Sequence, residues 1–197
     1  MTPNILVADR IITIEGFFWL EKCASYIAES EDNGYDAASI TTRHGQVMNT
    51  EVRNNHRVIF DSPQLADQLW PRPRSFVPSP LWNREAIGLN QRFRFYRYDA
   101  GQTFKPHYDG SFRRDNGEKS QVTFMIYLNE EFNGGETKFD LRYPHGAMSV
   151  RPQTGMALLF VHNLRHEGAP VATGRKYVLR TDVMYSPLPK GVEESTD

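Results

Sequence analysis

Residues 92–109 read RFRFYRYDAGQTFKPHYD. The run Arg92 to Tyr98 is rich in aromatic residues, and the two-residue period of a strand puts Arg94, Tyr96 and Tyr98 on one face. Asp99-Ala100-Gly101 then supplies turn chemistry. The stretch closes on His107-Tyr108-Asp109, an H-x-D whose imidazole and carboxylate project to the same side of a strand. The same texture recurs in Val122 to Leu128, Ala157 to Val161 and Tyr177 to Tyr185. Between these runs lie the turn sequences Asn133-Gly134-Gly135 and Pro152-Gln153-Thr154-Gly155. Many short strands with such turns predict an antiparallel sandwich or barrel from Gly88 onward.

Ahead of it the pattern is different. Gly16 to Ser30 places Phe17, Leu20, Cys23, Ala24, Ile27 and Ala28 at helical spacing, which predicts an amphipathic helix with Glu21, Lys22 and Glu29 outward. Ser62-Pro63 is a helix start with Pro at the first position, and Leu65, Ala66 and Leu69 form a short helix ending at Pro71. Helices first and strands later predict an α+β fold. We read one domain over 1–197, a helical part at about 1–87 bracing a catalytic β core at about 88–187.

The bulk properties narrow the function classes. With 39% hydrophobic and 24% charged residues, 197 residues can bury a core without disulfides or a structural metal. The single cysteine, Cys23, excludes an internal disulfide and reads as a small core residue. A formal net charge of -1 argues against a phosphate-binding footprint, so nucleic acid is not expected as a partner. Asp9, Arg10 and Glu15 interrupt any signal-peptide core, and no apolar run approaches the roughly 18 residues of a membrane helix. A cytoplasmic location with no membrane partner is expected.

The H-x-D alone is a weak signal, since such a pair is usually an ordinary surface or hydrogen-bonded pair. With one more histidine it makes a 2-His-1-carboxylate triad, which holds Fe(II) on one side and leaves positions open. His162 and His166 both offer that third ligand. A helical H-x-x-x-H zinc pair is opposed by Gly168 and Pro170 close behind. Farther on, Lys176, Val178, Arg180 and Asp182 share one face of a predicted strand. A buried Lys176 needs a fixed anion, which the far carboxylate of an iron-chelating dicarboxylate would provide; otherwise it is a solvated surface lysine.

From about Leu89 to Pro187 the chain resembles the catalytic core of Fe(II)/2-oxoglutarate dioxygenases of the prolyl 4-hydroxylase-like branch. The resemblance is carried by Arg97 to Asp109, Tyr127-Leu128-Asn129, Gly134 to Phe139, Pro152 to Phe160, and His166-Glu167-Gly168 through Lys176-Tyr177. It implies a double-stranded β-helix (jelly-roll, cupin-like) core braced by the N-terminal helices. It implies that His107, Asp109 and His166 ligate iron, leaving His162 as a neighbour, and that Lys176 pairs with the distal carboxylate of 2-oxoglutarate. Tyr98 and Tyr127 are implied to reach that carboxylate through their hydroxyls, with plain core packing as the alternative, and Thr137 faces the same region. Arg180 is a second anion clamp, a substrate contact or the partner of Asp182.

The implied cofactors are Fe(II), 2-oxoglutarate and O2, with ascorbate in support. The implied reaction hydroxylates an unactivated C–H bond of a peptidyl or free amino-acid side chain, prolyl first, and releases succinate and CO2. Asp109 favours hydroxylation over halogenation, because chloride takes the place of that carboxylate in related halogenases. The competing readings are a catalytically silent metal-binding module of the same fold, a small-molecule oxygenase of another substrate class, and a zinc hydrolase that needs neither O2 nor 2-oxoglutarate. Arg53-Asn54-Asn55 reads as a solvated turn, with a substrate contact as the alternative. Gly110 to Ser120 is either a lid over the metal or a solvated surface loop.

Overall fold

A computed structural model describes residues 1–42, 45–141, 146–189 and 191–192. In chain order the elements are β1 (Thr2–Val7), β2 (Ile11–Glu15), α1 (Leu20–Asp32), β3 (Asp36–Ala37), β4 (Ile40–Thr42), β5 (Gly45–Val47), β6 (His56–Asp61), α2 (Pro63–Leu69), β7 (Ala86–Leu89), β8 (Arg92–Tyr98) and β9 (Phe104–His107). They continue with β10 (Lys119–Tyr127), β11 (Phe132–Gly134), β12 (Thr137–Asp140), β13 (Ala147–Val150), β14 (Ala157–Val161), β15 (Arg165–Gly168), β16 (Val171–Gly174) and β17 (Lys176–Tyr185). All the pairings are antiparallel.

Two sheets matter for the site. The major sheet has nine strands, ordered β1-β2-β14-β10-β17-β8-β6-β3, with β7 also on β17. The minor sheet has four, ordered β13-β12-β15-β9. Side-chain alternation gives the major sheet two different faces. On one, Phe93 and Phe95 of β8 and Phe124 of β10 are fully buried. Tyr26 of α1 packs on Phe95 with ring centroids 6.0 Å apart, and Phe17 meets Phe124 edge-on at 5.3 Å. Truncating Phe95 to Ala would cost roughly 3–5 kcal/mol. The opposite face carries Tyr96, Tyr98, Thr123, Lys176 and Arg180, and these look across a cleft at the minor sheet.

The N-terminal part departs from its expected helical character. Strands β1 and β2 form a hairpin that joins the major sheet through β14, and only α1 and α2 are helices among the described residues. Within α1 the buried stripe is Cys23, Tyr26 and Ser30, while Leu20, Ala24 and Ala28 are exposed. The apolar face is thus rotated from the expected one, because large Tyr26 fills the space against Phe95 that the small alanines cannot. Helix α2 follows the expectation, with Ser62 Oγ accepting the Leu65 N–H. Asn133-Gly134-Gly135 is only partly a turn, since Phe132–Gly134 pairs with β16.

Candidate metal and anion site

The minor sheet positions the two histidines. His107 on β9 and His166 on β15 are direct register partners, with ring centroids 4.3 Å apart. Asp109 follows just past the end of β9, its Oδ1 3.7 Å from His107 Nε2 and its Oδ2 3.6 Å from His166 Nε2. One ligand atom from each of the three residues falls within a mutual 4.8 Å.

The imidazoles are set as metal ligands require. His107 Nδ1 bonds the Lys105 carbonyl at 2.7 Å and His166 Nδ1 the Leu164 carbonyl at 3.0 Å. Donation from Nδ1 leaves Nε2 with its lone pair free on both rings, facing Asp109. Phe104 stacks on the His107 ring at 3.5 Å, and Phe160 meets His166 edge-on at 4.5 Å, so neither ring can swing. His107 Nε2 is buried with no hydrogen-bond partner. A buried polar atom without a partner needs an explanation, and a cation held by two nitrogens and a carboxylate oxygen supplies one. Burial and the neighbouring His166 push His107 down to about 3, which keeps it neutral. Burial also lowers His166. Burial alone would raise Asp109, but the Arg180 guanidinium, the largest of the influences that lower it, holds the carboxyl ionised.

Two groups on the major sheet fix that carboxylate. Thr123 Oγ1 donates to Asp109 Oδ2 at 2.6 Å, and Arg180 Nη2 lies 2.9 Å from Oδ1. The same Arg180 nitrogen reaches Asp182 Oδ1 at 3.3 Å. His162 stands outside the triad, its Nε2 3.5 Å from Asp182. Thr123 was not singled out from the sequence; its cleft-facing parity with Met125 on β10 was the available signal.

Lys176 lies at the other end of β17's cleft face and is 2% exposed. Its Nζ donates to the Gly135 carbonyl at 2.6 Å and sits 5.2 and 5.3 Å from the rings of Tyr98 and Tyr127. Gly135 adopts φ +69°, and a Cβ there would come within 2.9 Å of Phe132 and 3.3 Å of Lys176, so glycine is required for this approach. Among the described residues no carboxylate is within ion-pair distance of this ammonium. Burial pushes it down to about 7, against a weaker upward pull from Glu136. Thr137 lines the same cleft, and its Oγ1 shares a 2.7 Å hydrogen bond with the Tyr127 hydroxyl, which is fully buried behind it. Tyr98 lines the cleft directly.

The Arg53-Asn54-Asn55 segment is no solvated turn. Arg53 is 5% exposed and Asn55 is fully buried. The segment pairs with the edge of β9 through an Arg53–Phe104 bridge. Residues 110–120 form a hydrogen-bonded hairpin in which Phe112 and Ser120 bond each other and Arg114 pairs with Glu118 at 2.6 Å.

The sequence model of the 2OG-Fe(II) oxygenase superfamily matches residues 93–181, which contain every residue that lines the cleft. "Probable prolyl 4-hydroxylase 3" of Arabidopsis thaliana is 32% identical, over 85% of this chain and 67% of its own length. The chain belongs to the 2-oxoglutarate- and Fe(II)-dependent oxygenases, in their prolyl 4-hydroxylase-like branch. A PKHD-type hydroxylase of Paracoccus denitrificans is 29% identical over 64% of this oxygenase and 58% of its own length. The oxygenase thus spans about two thirds or less of these relatives. Among solved structures, a Pseudomonas putida prolyl-4-hydroxylase superposes with TM-score 0.68 at 19% identity, covering 91% of this chain and 95% of that one. A viral collagen prolyl hydroxylase from Paramecium bursaria Chlorella virus-1 gives 0.64 at 21% identity, covering 93% and 99%. Both share the double-stranded β-helix fold with this oxygenase. Members of the superfamily use Fe(II), 2-oxoglutarate and O2, and the His107–Asp109–His166 triad fits that iron. No helix among the described residues is long and apolar enough to cross a membrane.

Proposed function

We propose that this oxygenase hydroxylates an unactivated C–H bond of an amino-acid side chain, prolyl first, consuming 2-oxoglutarate and O2 and releasing succinate and CO2. His107, Asp109 and His166 would hold the iron, and Lys176 would pair with the distal carboxylate of 2-oxoglutarate, beside Thr137 and Tyr98. Bound iron with its cosubstrate supplies the oxidising chemistry; the chain binds, orients and excludes water. The observation that carries the reading is the opposition of two unmet needs across one cleft. One wall offers a buried, unpartnered His107 Nε2 within a three-ligand cluster, and the other a buried ammonium without a carboxylate.

The spacing supports this arrangement. Lys176 and Arg180 are four residues apart on one strand face, roughly 13 Å at the usual rise. A five-carbon dicarboxylate anchored on Lys176 therefore ends near the triad, which Arg180 touches through Asp109. Arabidopsis, viral and bacterial relatives named as prolyl hydroxylases favour a prolyl ring, and a related Trichoplax adhaerens enzyme is described with a hypoxia inducible factor peptide. The test incubates the protein with Fe(II), ascorbate, 2-oxoglutarate and candidate amino acids or peptides. Succinate formation with a one-oxygen mass gain on one of them is expected; activity that persists without O2 or 2-oxoglutarate contradicts the reading.

A further inference from the structure

The cleft face of the major sheet carries more positive charge than the iron ligands and 2-oxoglutarate account for. Arg94 and Arg180 lie opposite each other on β8 and β17, and Arg57 lies opposite Tyr96 on β6. Arg53 covers this row from the segment at the edge of β9. Its guanidinium rests on Tyr96 and Phe104, 4.6 and 4.4 Å from the ring centroids, and both rings line the cleft.

The partners of these four arginines are unequal. Arg57 is satisfied by neutral groups, the carbonyl and hydroxyl of Ser39 and the Gln46 side chain. Arg180 uses Asp109 and Asp182. Arg94 has only a 3.6 Å contact from Nη1 to Asp182, a carboxylate already shared with Arg180 and His162, and that Nη1 is buried without a hydrogen bond. Arg53 donates from Nε to Asn55 at 2.7 Å, but its Nη2 is buried with no partner, and no carboxylate pairs with it among the described residues. Three guanidiniums, Arg53, Arg94 and Arg180, bear on the Tyr96 hydroxyl. Two carboxylates face them, and iron would draw on one. The anion anchored on Lys176 sits at the opposite end of the cleft, and leaves Arg53 without a carboxylate and Arg94 with only its share of Asp182.

We infer that the substrate brings its own carboxylate, held by Arg53 and Arg94 beside Tyr96, and is a free amino acid or similar small carboxylic acid rather than a residue inside a peptide. This rests on the oxygenase reading above and narrows its substrate class. An internal peptide residue presents a neutral amide at this position, which cannot balance the buried Arg53 guanidinium and the half-buried Arg94 beside it. A carboxylate accepts from arginine forks in the planar geometry they favour.

The test loads the full chain with Mn(II) and 2-oxoglutarate without iron. It then measures binding of the common L-amino acids, their carboxamides and a doubly blocked prolyl peptide by calorimetry. At least one free acid is expected to bind, with its carboxamide about 30-fold weaker. Arg53→Gln and Arg94→Gln should each erase that discrimination, and Arg94→Lys should retain part of it; either Gln variant alone suffices if the other fails to fold. Arg92→Gln, at an exposed residue paired with Asp61, should leave it unchanged. Equal binding of acid and amide, binding of the blocked peptide alone, or no bound acid would overturn the inference. Binding of 2-oxoglutarate to the Mn(II)-loaded chain separates the two failures. If 2-oxoglutarate binds and no acid preference appears, only the inference falls; if 2-oxoglutarate does not bind, the oxygenase reading falls too.

Discussion

The two walls of the cleft do opposite jobs with opposite chemistry. The minor sheet presents neutral imidazoles, made rigid by carbonyl hydrogen bonds and by packing on Phe104 and Phe160. The major sheet presents cations, Lys176 at one end and the arginines at the other. Asp109 joins the walls, since it belongs to the minor-sheet cluster yet is gripped by Thr123 and Arg180 of the major sheet. Neither sheet alone can bind both a metal and an organic anion. The fold creates the site by setting the two faces against each other.

The largest expected effect falls on the metal wall. His166→Ala should abolish substrate turnover and weaken iron binding by more than the 10–100-fold typical of losing a group that merely supports a ligand. Retained iron affinity, measured by calorimetry with anaerobic Fe(II), would break the division of labour. Lys176→Met probes the anion wall. It should raise the 2-oxoglutarate Kd roughly 30-fold or more, while raising the melting temperature of the cosubstrate-free protein, because an unpaired buried ammonium has been removed. A lowered melting temperature would show that this ammonium is already compensated.

A pH series sharpens the same point. Lys176 is depressed from its usual value to about 7, so the free protein holds it charged only below that pH. Binding a carboxylate requires the charged form. Affinity for 2-oxoglutarate should therefore weaken as pH rises above about 7, by up to about tenfold per pH unit, and Lys176→Met should flatten the profile. An affinity that strengthens toward pH 9 would contradict this. Thr123→Val tests the junction: losing the bond to Asp109 should cost roughly 10-fold in iron affinity with little change in 2-oxoglutarate binding.

What the sequence discloses follows the range over which each feature is determined. The H-x-D and the Lys176–Asp182 face are set by local two-residue alternation, so they are legible in the chain, as are the strands of Arg92 to Tyr98 and Tyr177 to Tyr185. The choice of His166 over His162 rests on the family resemblance; in the structure it follows from the β9–β15 register. Thr123 has only the two-residue parity of its strand as a local signal, because its partner Asp109 lies on a loop from the other sheet. Arg53-Asn54-Asn55 has turn composition, yet two aromatic faces and an internal Arg53–Asn55 bond make its burial tolerable. The hairpin of β1 and β2 is an edge with Ile5 65% exposed, so its pattern is weak. The face of α1 is decided by Tyr26 packing on Phe95, which spacing alone does not reveal. Leu20→Lys should accordingly change stability by no more than about 0.5 kcal/mol, the smallest effect expected here; a loss of several times that would restore the face read from spacing.

The most direct test of the opposed walls is an anaerobic titration of Fe(II) into the protein with 2-oxoglutarate, followed by the charge-transfer absorption of chelated iron. The account predicts a band that saturates at one iron per chain, disappears in His166→Ala and needs far more 2-oxoglutarate in Lys176→Met. A band of unchanged strength and 2-oxoglutarate requirement in both variants would contradict it.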